Sequence, residues 1–400
     1  MHAVTCSLCI ALCAMSAGAQ PPVPSVEPPA APERPVDANA EHIILKFDAA
    51  DGTPLEAKLS LPVERSGPVP VVFYLHGAGP RSYDNPYGYR DERGERQIAF
   101  YLDFHARHLN QRGMAFFRMS KRGCTAFPQA PWMNLDREVF GGATPTVLLA
   151  DYAAALAELR KHPAIDPARI VLLGSSEGTR LAPRLALAHP DGIVGIVMTG
   201  FAADNAKDTV TWQNTVGPWR NVQHLIPAAR DGRLTREEFA EATAEEASPA
   251  RAVAFDALDA DKNDELMLED LTAALAPRLS AILHAIDEGN DALIAQALIG
   301  LNTAYLLDWW DAEPNVVAML ELDLPMAIFH GRLDGTCRVE GVIEARETFA
   351  SHDKSNLTVR IYDDGDHDLN WTHEAAAAGG PPAYLDVFDH IRGLVFPPSA

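Results

Sequence analysis

From residue 41 onward the chain alternates short, β-rich apolar runs with longer helical stretches. That order predicts an α/β fold, a doubly wound and mostly parallel sheet with helices on both faces. The runs fall at 43–47, 55–61, 69–75, 115–119, 170–173, 193–198, 326–329 and 357–362. Asp51-Gly52 separates the first two and predicts a hairpin turn, so the opening pair is antiparallel. Helices are expected at 144–162 and 179–188. Between residues 201 and 320 the runs stop, and acidic, alanine-rich helical sequence replaces them. This stretch is expected to be a helical cap that divides the core into residues 41–200 and 321–400.

The ends and the charge narrow the possibilities. Residues 3–14 are almost wholly apolar and lead to Ala17-Gly18-Ala19, so residues 1–19 are expected to be a secretory signal peptide and the protein to be exported, periplasmic or secreted. Residues 20–38 carry seven prolines and no apolar periodicity, which predicts an extended linker reaching the first strand near residue 40. The formal charge of -22 repels phosphate backbones and argues against a nucleic-acid partner. No apolar run attains the ~18–20 residues that cross a bilayer.

The chemistry begins where the fifth run turns into a helix, at Gly174-Ser175-Ser176-Glu177-Gly178. A serine hydroxyl is a weak nucleophile, so it must be raised on a sharp turn where a base can reach it. G-x-S-x-G between a strand and a helix supplies that turn and nominates Ser176. The next backbone N–H, that of Glu177, lies at a helix N-terminus and can face a developing oxyanion. A second donor is expected from His76-Gly77-Ala78-Gly79-Pro80 after the third run, with the Ala78 N–H in that role and His76 holding the loop.

An acid and a base should follow in that order at the ends of the last two strands. The loop after 326–329 offers Asp334, and the loop after 357–362 offers His367. Asp323 and Asp366 compete as acids, and His330 and His373 compete as bases.

These residues resemble the α/β-hydrolase superfamily, more narrowly the serine hydrolases related to dienelactone hydrolase and the catalytic domains of prolyl oligopeptidases. The resemblance covers residues 41–200 and 321–395, and rests on Asp51-Gly52, HGAGP at 76–80, Lys121-Arg122-Gly123, GSSEG at 174–178, and the Asp334 and His367 loops. It implies an eight-stranded sheet, Ser-His-Asp acyl transfer and a site roofed by the insertion. Ser176 replaces the cysteine of dienelactone hydrolase, Ser120 stands where many relatives carry an acid, and the oligopeptidase propeller has no counterpart. In the implied strand order the strands before Cys124 and Cys337 lie four positions apart, roughly 19 Å, against the ~4.4–6.8 Å a disulfide needs. Two free thiols are therefore expected.

The cap carries a second signal. Residues 259–270, DADKNDELMLED, resemble an EF-hand calcium loop, with Asp259, Asp261, Asn263, the Glu265 carbonyl and Asp270 as ligands. Asp264 replaces the usual glycine at the sixth position, and Asp270 the usual bidentate glutamate. Thirty-two residues earlier, Gly232, Leu234 and Glu238 supply the second half of a partner loop whose first half lacks ligand oxygens. A paired EF-hand-like unit over about 220–275 with one competent calcium site is expected, bracing the lid. Between Asp231 and Asp270 thirteen acidic side chains face four basic ones, so much of the negative charge is local. The expected activity is cleavage of small carboxylic esters. Short peptides are the alternative substrate, and a calcium-binding protein on an inactive hydrolase scaffold is the reading from a different class.

Overall fold

The computed structural model describes residues 40–90, 96–127, 133–243, 255–298 and 300–397. The expected signal peptide and nearly all of the proline-rich linker lie outside the described residues.

Eight strands form one sheet: β1 (Ala40–Asp48), β2 (Pro54–Pro62), β3 (Val69–Leu75), β4 (Ala115–Met119), β5 (Ile165–Ser175), β6 (Ile193–Thr199), β7 (Met326–Gly331) and β8 (Leu357–Tyr362). Their spatial order is β1-β2-β4-β3-β5-β6-β7-β8. β1 and β2 pair antiparallel across the Asp51-Gly52 turn, where Gly52 takes φ 82°. β2 is antiparallel to β4, and every later pairing is parallel.

The apolar runs are continuous because the sheet is covered on both faces. Along β3, Val71 and Phe73 join one core with Phe117, Leu172 and Leu181, while Val72 and Tyr74 join a second with Phe116, Phe329 and Phe388. The helices α1 (Tyr101–Gln111), α2 (Pro145–Leu159) and α3 (Gly178–Ala188) follow β3, β4 and β5 in chain order. α2 starts on a Thr144 cap and Pro145, both favourable at a helix entrance.

The long connection from β6 to β7 is helical. Its longest element is α4 (Leu268–Glu288), and the core resumes with α5 (Val339–Ser351) and α6 (Pro382–Val395). The connection is pinched at its base: the Asn315 N–H donates to the Ala203 carbonyl and the Ala206 N–H to the Trp309 carbonyl, both at 2.9 Å. Within it, the segments 234–235 and 265–266 form a two-residue antiparallel pair, with Leu234 opposite Leu266. Gly232 (φ 101°) and Asp264 (φ 63°) take left-handed conformations two residues before the paired Leu234 and Leu266. Trp219, Phe239, Phe255 and Leu271 close a small core beneath this pair. Cys124 and Cys337 are both buried and free.

Candidate active site

Ser176 stands on the turn between β5 and α3 with φ 53°. A left-handed conformation is strained for a residue with a Cβ. It is held by the Ser176 N–H donating to the Thr199 carbonyl at 3.0 Å, and by the Thr179 N–H and hydroxyl donating to the Ser176 carbonyl at 2.9 and 2.6 Å. The glycines are sterically required. A Cβ on Gly174 would sit 2.4 Å from the Gly178 carbonyl oxygen, and one on Gly178 would sit 2.1 Å from that of Leu75. Ser176 stays partly exposed at the carboxyl edge of the sheet.

The 76–79 loop runs beside this turn, since a Cβ on Gly77 would lie 3.1 Å from the Ser176 Cβ. His76 is buried and bonded to the Met119 carbonyl at 2.9 Å. Burial, with Lys121 nearby, pulls its imidazole well below the ordinary range, so it is neutral and holds the loop. Lys121 adds a feature that the motifs do not reveal. Its ammonium donates to the Gly77 carbonyl at 2.7 Å and to Glu177 Oε2 at 2.6 Å. In a trans peptide the C=O and the following N–H point in opposite directions. Anchoring the Gly77 carbonyl on Lys121 therefore turns the Ala78 N–H away from the lysine. Glu177 opens α3, where N–H groups have no intrahelical partner. Its other carboxylate oxygen accepts a short hydrogen bond from the Tyr305 hydroxyl, which comes from the β6–β7 connection.

Asp334 and His367 meet where expected, with His367 Nδ1 2.8 Å from Asp334 Oδ2. Asp334 Oδ1 accepts from the N–H groups of Thr336 and Cys337 at 2.7 and 2.8 Å. Burial pushes the Asp334 carboxyl up, but His367, His330 and the Cys337 N–H outweigh it and hold it below its ordinary value. Burial pulls His367 down, while Asp334, Asp368 and Asp366 push harder and place it at about 9. A Cβ on Gly200 would fall 2.7 Å from His367 Cε1, so the imidazole is packed on bare backbone.

The competing residues have other roles. His330 Nδ1 accepts from the Phe201 N–H at 3.0 Å, so Nε2 carries the proton and donates to the Cys337 carbonyl at 3.1 Å. His373 stacks on Tyr89. Asp323 pairs with Lys354 in solvent, and the Asp366 carboxylate caps its own turn by accepting from the N–H groups of Asp368 and Asn370. The buried Cys337 thiol is an unforeseen neighbour. One ligand atom each of Asp334, Cys337 and His367 lie within 4.8 Å of one another, the one such group among the described residues.

The helix 217–225 sits on both loops. A Cβ on Gly335 would fall 2.4 Å from the Gly217 carbonyl oxygen, and Arg230 reaches Asp364 at 2.6 Å. His224 lies 3.6 Å from Asp366. In the 259–270 loop, Asp259 is 3% exposed and accepts from the N–H groups of Asn263 and Asp264, both at 3.1 Å. Asp261 also accepts from the Asn263 N–H, at 3.2 Å, and the Asn263 side chain accepts from the Glu265 N–H at 2.7 Å. Asp270 instead accepts from the Met267 N–H at 2.9 Å and caps α4. The loop thus gathers Asp259, Asp261 and Asn263, while Asp270 is engaged at its own helix start.

No protein-family model matches the chain. Esterase EstD of Thermotoga maritima is 25% identical over 187 residues, 46% of this chain and 40% of that protein, so the chain spans well under half of this relative's length. Among solved structures, a hypothetical protein from Pseudomonas aeruginosa superposes with a TM-score of 0.51 at 14% identity, covering 90% of this chain and 95% of that one. An acylaminoacyl peptidase from Pyrococcus horikoshii gives a TM-score of 0.49 at 12% identity, covering 88% and 41%. The mostly parallel eight-stranded sheet with helices on both faces, an architecture shared with the Pseudomonas structure, is consistent with an α/β-hydrolase fold.

Proposed function

We propose that this protein is a serine hydrolase that cleaves carboxylic esters through an acyl-enzyme. The observation that carries the reading is Ser176 on a strained strand–helix turn, in the same fold as an imidazole already aligned by a buried carboxylate. Ser176 Oγ attacks the acyl carbonyl while His367 Nε2 takes its proton, and Asp334 fixes the tautomer and stabilises the imidazolium. The N–H groups of Ala78 and Glu177 stabilise the oxyanion. His367 then returns the proton to the leaving alcohol and activates water for deacylation. The ester preference follows the Thermotoga likeness, an esterase. Labelling with a fluorophosphonate, compared between wild type and Ser176→Ala, tests the nucleophile, and a panel of chromogenic esters and peptide amides tests the substrate. A wild-type protein that takes no label is not a serine hydrolase.

The helix–loop pair in the cap is read as an EF-hand-like unit whose second loop binds calcium. Asp259, Asp261, Asn263 and the Glu265 carbonyl offer only oxygens, the kind of donor a hard divalent cation takes, and Asp270 would join them by releasing the Met267 N–H. The ion would supply rigidity rather than chemistry, because helix 217–225 of this unit rests on the Asp334 and His367 loops. Export is proposed on the apolar stretch and Ala17-Gly18-Ala19 alone.

A further inference from the structure

Arg180 lies in the first turn of α3, four residues after Ser176. It is 3% exposed, and no carboxylate pairs with it among the described residues. Its Nε and Nη1 have no hydrogen-bond partner there, and Nη2 reaches only the Glu313 carbonyl at 3.4 Å. The guanidinium rests on the Trp309 ring, 4.0 Å from its centroid. Arg184, the next turn along, is 5.2 Å from the same centroid. It too lacks an acid among the described residues, sharing Nη1 between the Arg180 carbonyl and the Asn315 side chain.

The acid in electrostatic reach is already taken, because Arg338 grips Asp204 through two bonds of 2.7 Å. In a chain with 55 acidic and 33 basic side chains, the buried Arg180 and the half-buried Arg184 are left without a counter-ion among the described residues. A buried cation with unpaired N–H groups is strongly unfavourable unless something anionic comes to meet it. Burial, together with Arg184, brings the Arg180 guanidinium down to about 9, which leaves it cationic at neutral pH. Its surroundings join it to the nucleophile. The preceding residue, Thr179, donates its hydroxyl to the Ser176 carbonyl at 2.6 Å, and Tyr305, whose hydroxyl bonds Glu177 beside the nucleophile, lies within electrostatic reach of Arg180.

We infer that Arg180 is the recognition group for a carboxylate carried by the substrate, so that the ester cleaved at Ser176 is anionic. Such a substrate is a monoester of a dicarboxylic acid, or an ester whose alcohol part bears an acid. The guanidinium offers the planar donors that carboxylates accept, and the Trp309 ring lies against it. The inference specifies the substrate class of the hydrolase reading above and rests on it.

The test uses the full chain and two matched pairs of esters: para-nitrophenyl hemiglutarate against para-nitrophenyl pentanoate, and para-acetoxybenzoate against its methyl ester. Wild type is expected to favour the carboxylate member of at least one pair by roughly ten-fold or more in kcat/KM, mainly through KM. Arg180→Gln should abolish that ratio. Arg180→Lys should retain only part of it, because an ammonium lacks the planar fork. The readout is the ratio within a pair, so a general loss of activity cancels, and fluorophosphonate labelling checks that each variant keeps its nucleophile. Should Arg180→Gln fail to label, Arg180→Lys carries the comparison. A wild type that treats both members of both pairs alike overturns the inference, as does a preference that survives Arg180→Gln. If wild type cleaves the neutral esters equally well, only the anionic-substrate assignment falls. If it cleaves none of the four and takes no label, the hydrolase reading falls with it.

Discussion

Lys121 and Glu177 form a buried ion pair, 2.6 Å between Nζ and Oε2, with side chains 1% and 5% exposed. The same ammonium holds the Gly77 carbonyl, so one lysine fixes both strands of backbone assigned to the oxyanion. Lys121→Met is expected to lower kcat by roughly 10²–10³ with little change in KM, the magnitude of losing one oxyanion donor. Glu177→Gln leaves the lysine buried without its counter-charge and should cost about 3–5 kcal/mol of stability, read by urea denaturation. A kcat unchanged in Lys121→Met would show that the lysine serves only the fold.

The activity of wild type should climb with pH. His367 must be neutral to accept the Ser176 proton, and burial is outweighed by Asp334, Asp368 and Asp366 to place it at about 9. The limb of kcat/KM is therefore expected toward 9 rather than near 6.5. Asp334→Asn should lower kcat by about 10⁴ and move the limb downward. Linkage has the opposite sense: a raised imidazole contributes stability that is complete below its ordinary 6.5 and disappears as pH rises through about 9. Parallel pH profiles of activity and melting temperature check both signs.

Gly335 admits no side chain. A methyl there would stand 2.3 Å from the Asn221 side-chain oxygen and 2.4 Å from the Gly217 carbonyl oxygen, both in the helix that rests on the acid loop. Gly335→Ala is expected to lose about 1–3 kcal/mol as an overpacked contact. Activity should fall with it, because Asp334 is the adjacent residue. Equal denaturation midpoints for variant and wild type would refute the contact.

Calcium at about 100 times its dissociation constant should stabilise the protein by about 2.7 kcal/mol, seen as a higher melting temperature in calorimetry. Asp259→Asn and Asp261→Asn should abolish that gain. Chelator is expected to reduce turnover, since the unit contacts the loops of Asp334 and His367. Identical turnover with calcium and with chelator would separate the ion from the chemistry.

What the sequence disclosed depended on how local the physics was. The Ser176 turn was legible because Gly174 is dictated by Gly178 four residues on, although Gly178 itself answers to the distant Leu75 carbonyl, and the strands because burial on both faces demands continuous apolar runs. β5 begins at Ile165, earlier than its apolar stretch at 170–173, since Asp166 and Arg169 disguise its start. The small pairs Pro86–Arg90 with Arg96–Phe100, and Cys124–Ala126 with Met133–Leu135, carry too little alternation to be foreseen. Tyr305 meets Glu177 across 128 residues, and no spacing rule points to it. The register of Leu234 against Leu266 was foreshadowed by the thirty-two-residue spacing of the two loops. The turn of Asp270 toward Met267 was not, because a carboxylate at the third position of a helix serves equally as a cap.

The pinch between Ala203 and Asn315 makes residues 204–314 a cassette. Both ends of that segment meet at one place, so its length places little demand on the sheet: doubling a closed loop adds only about 0.6 kcal/mol of closure entropy. The register of β6 on β7, Ile196 against Met326, is set by the strands themselves. The cap can therefore be exchanged, shortened or elaborated as a unit while the sheet keeps its pairing. Its size and acidity are not set by what the sheet requires.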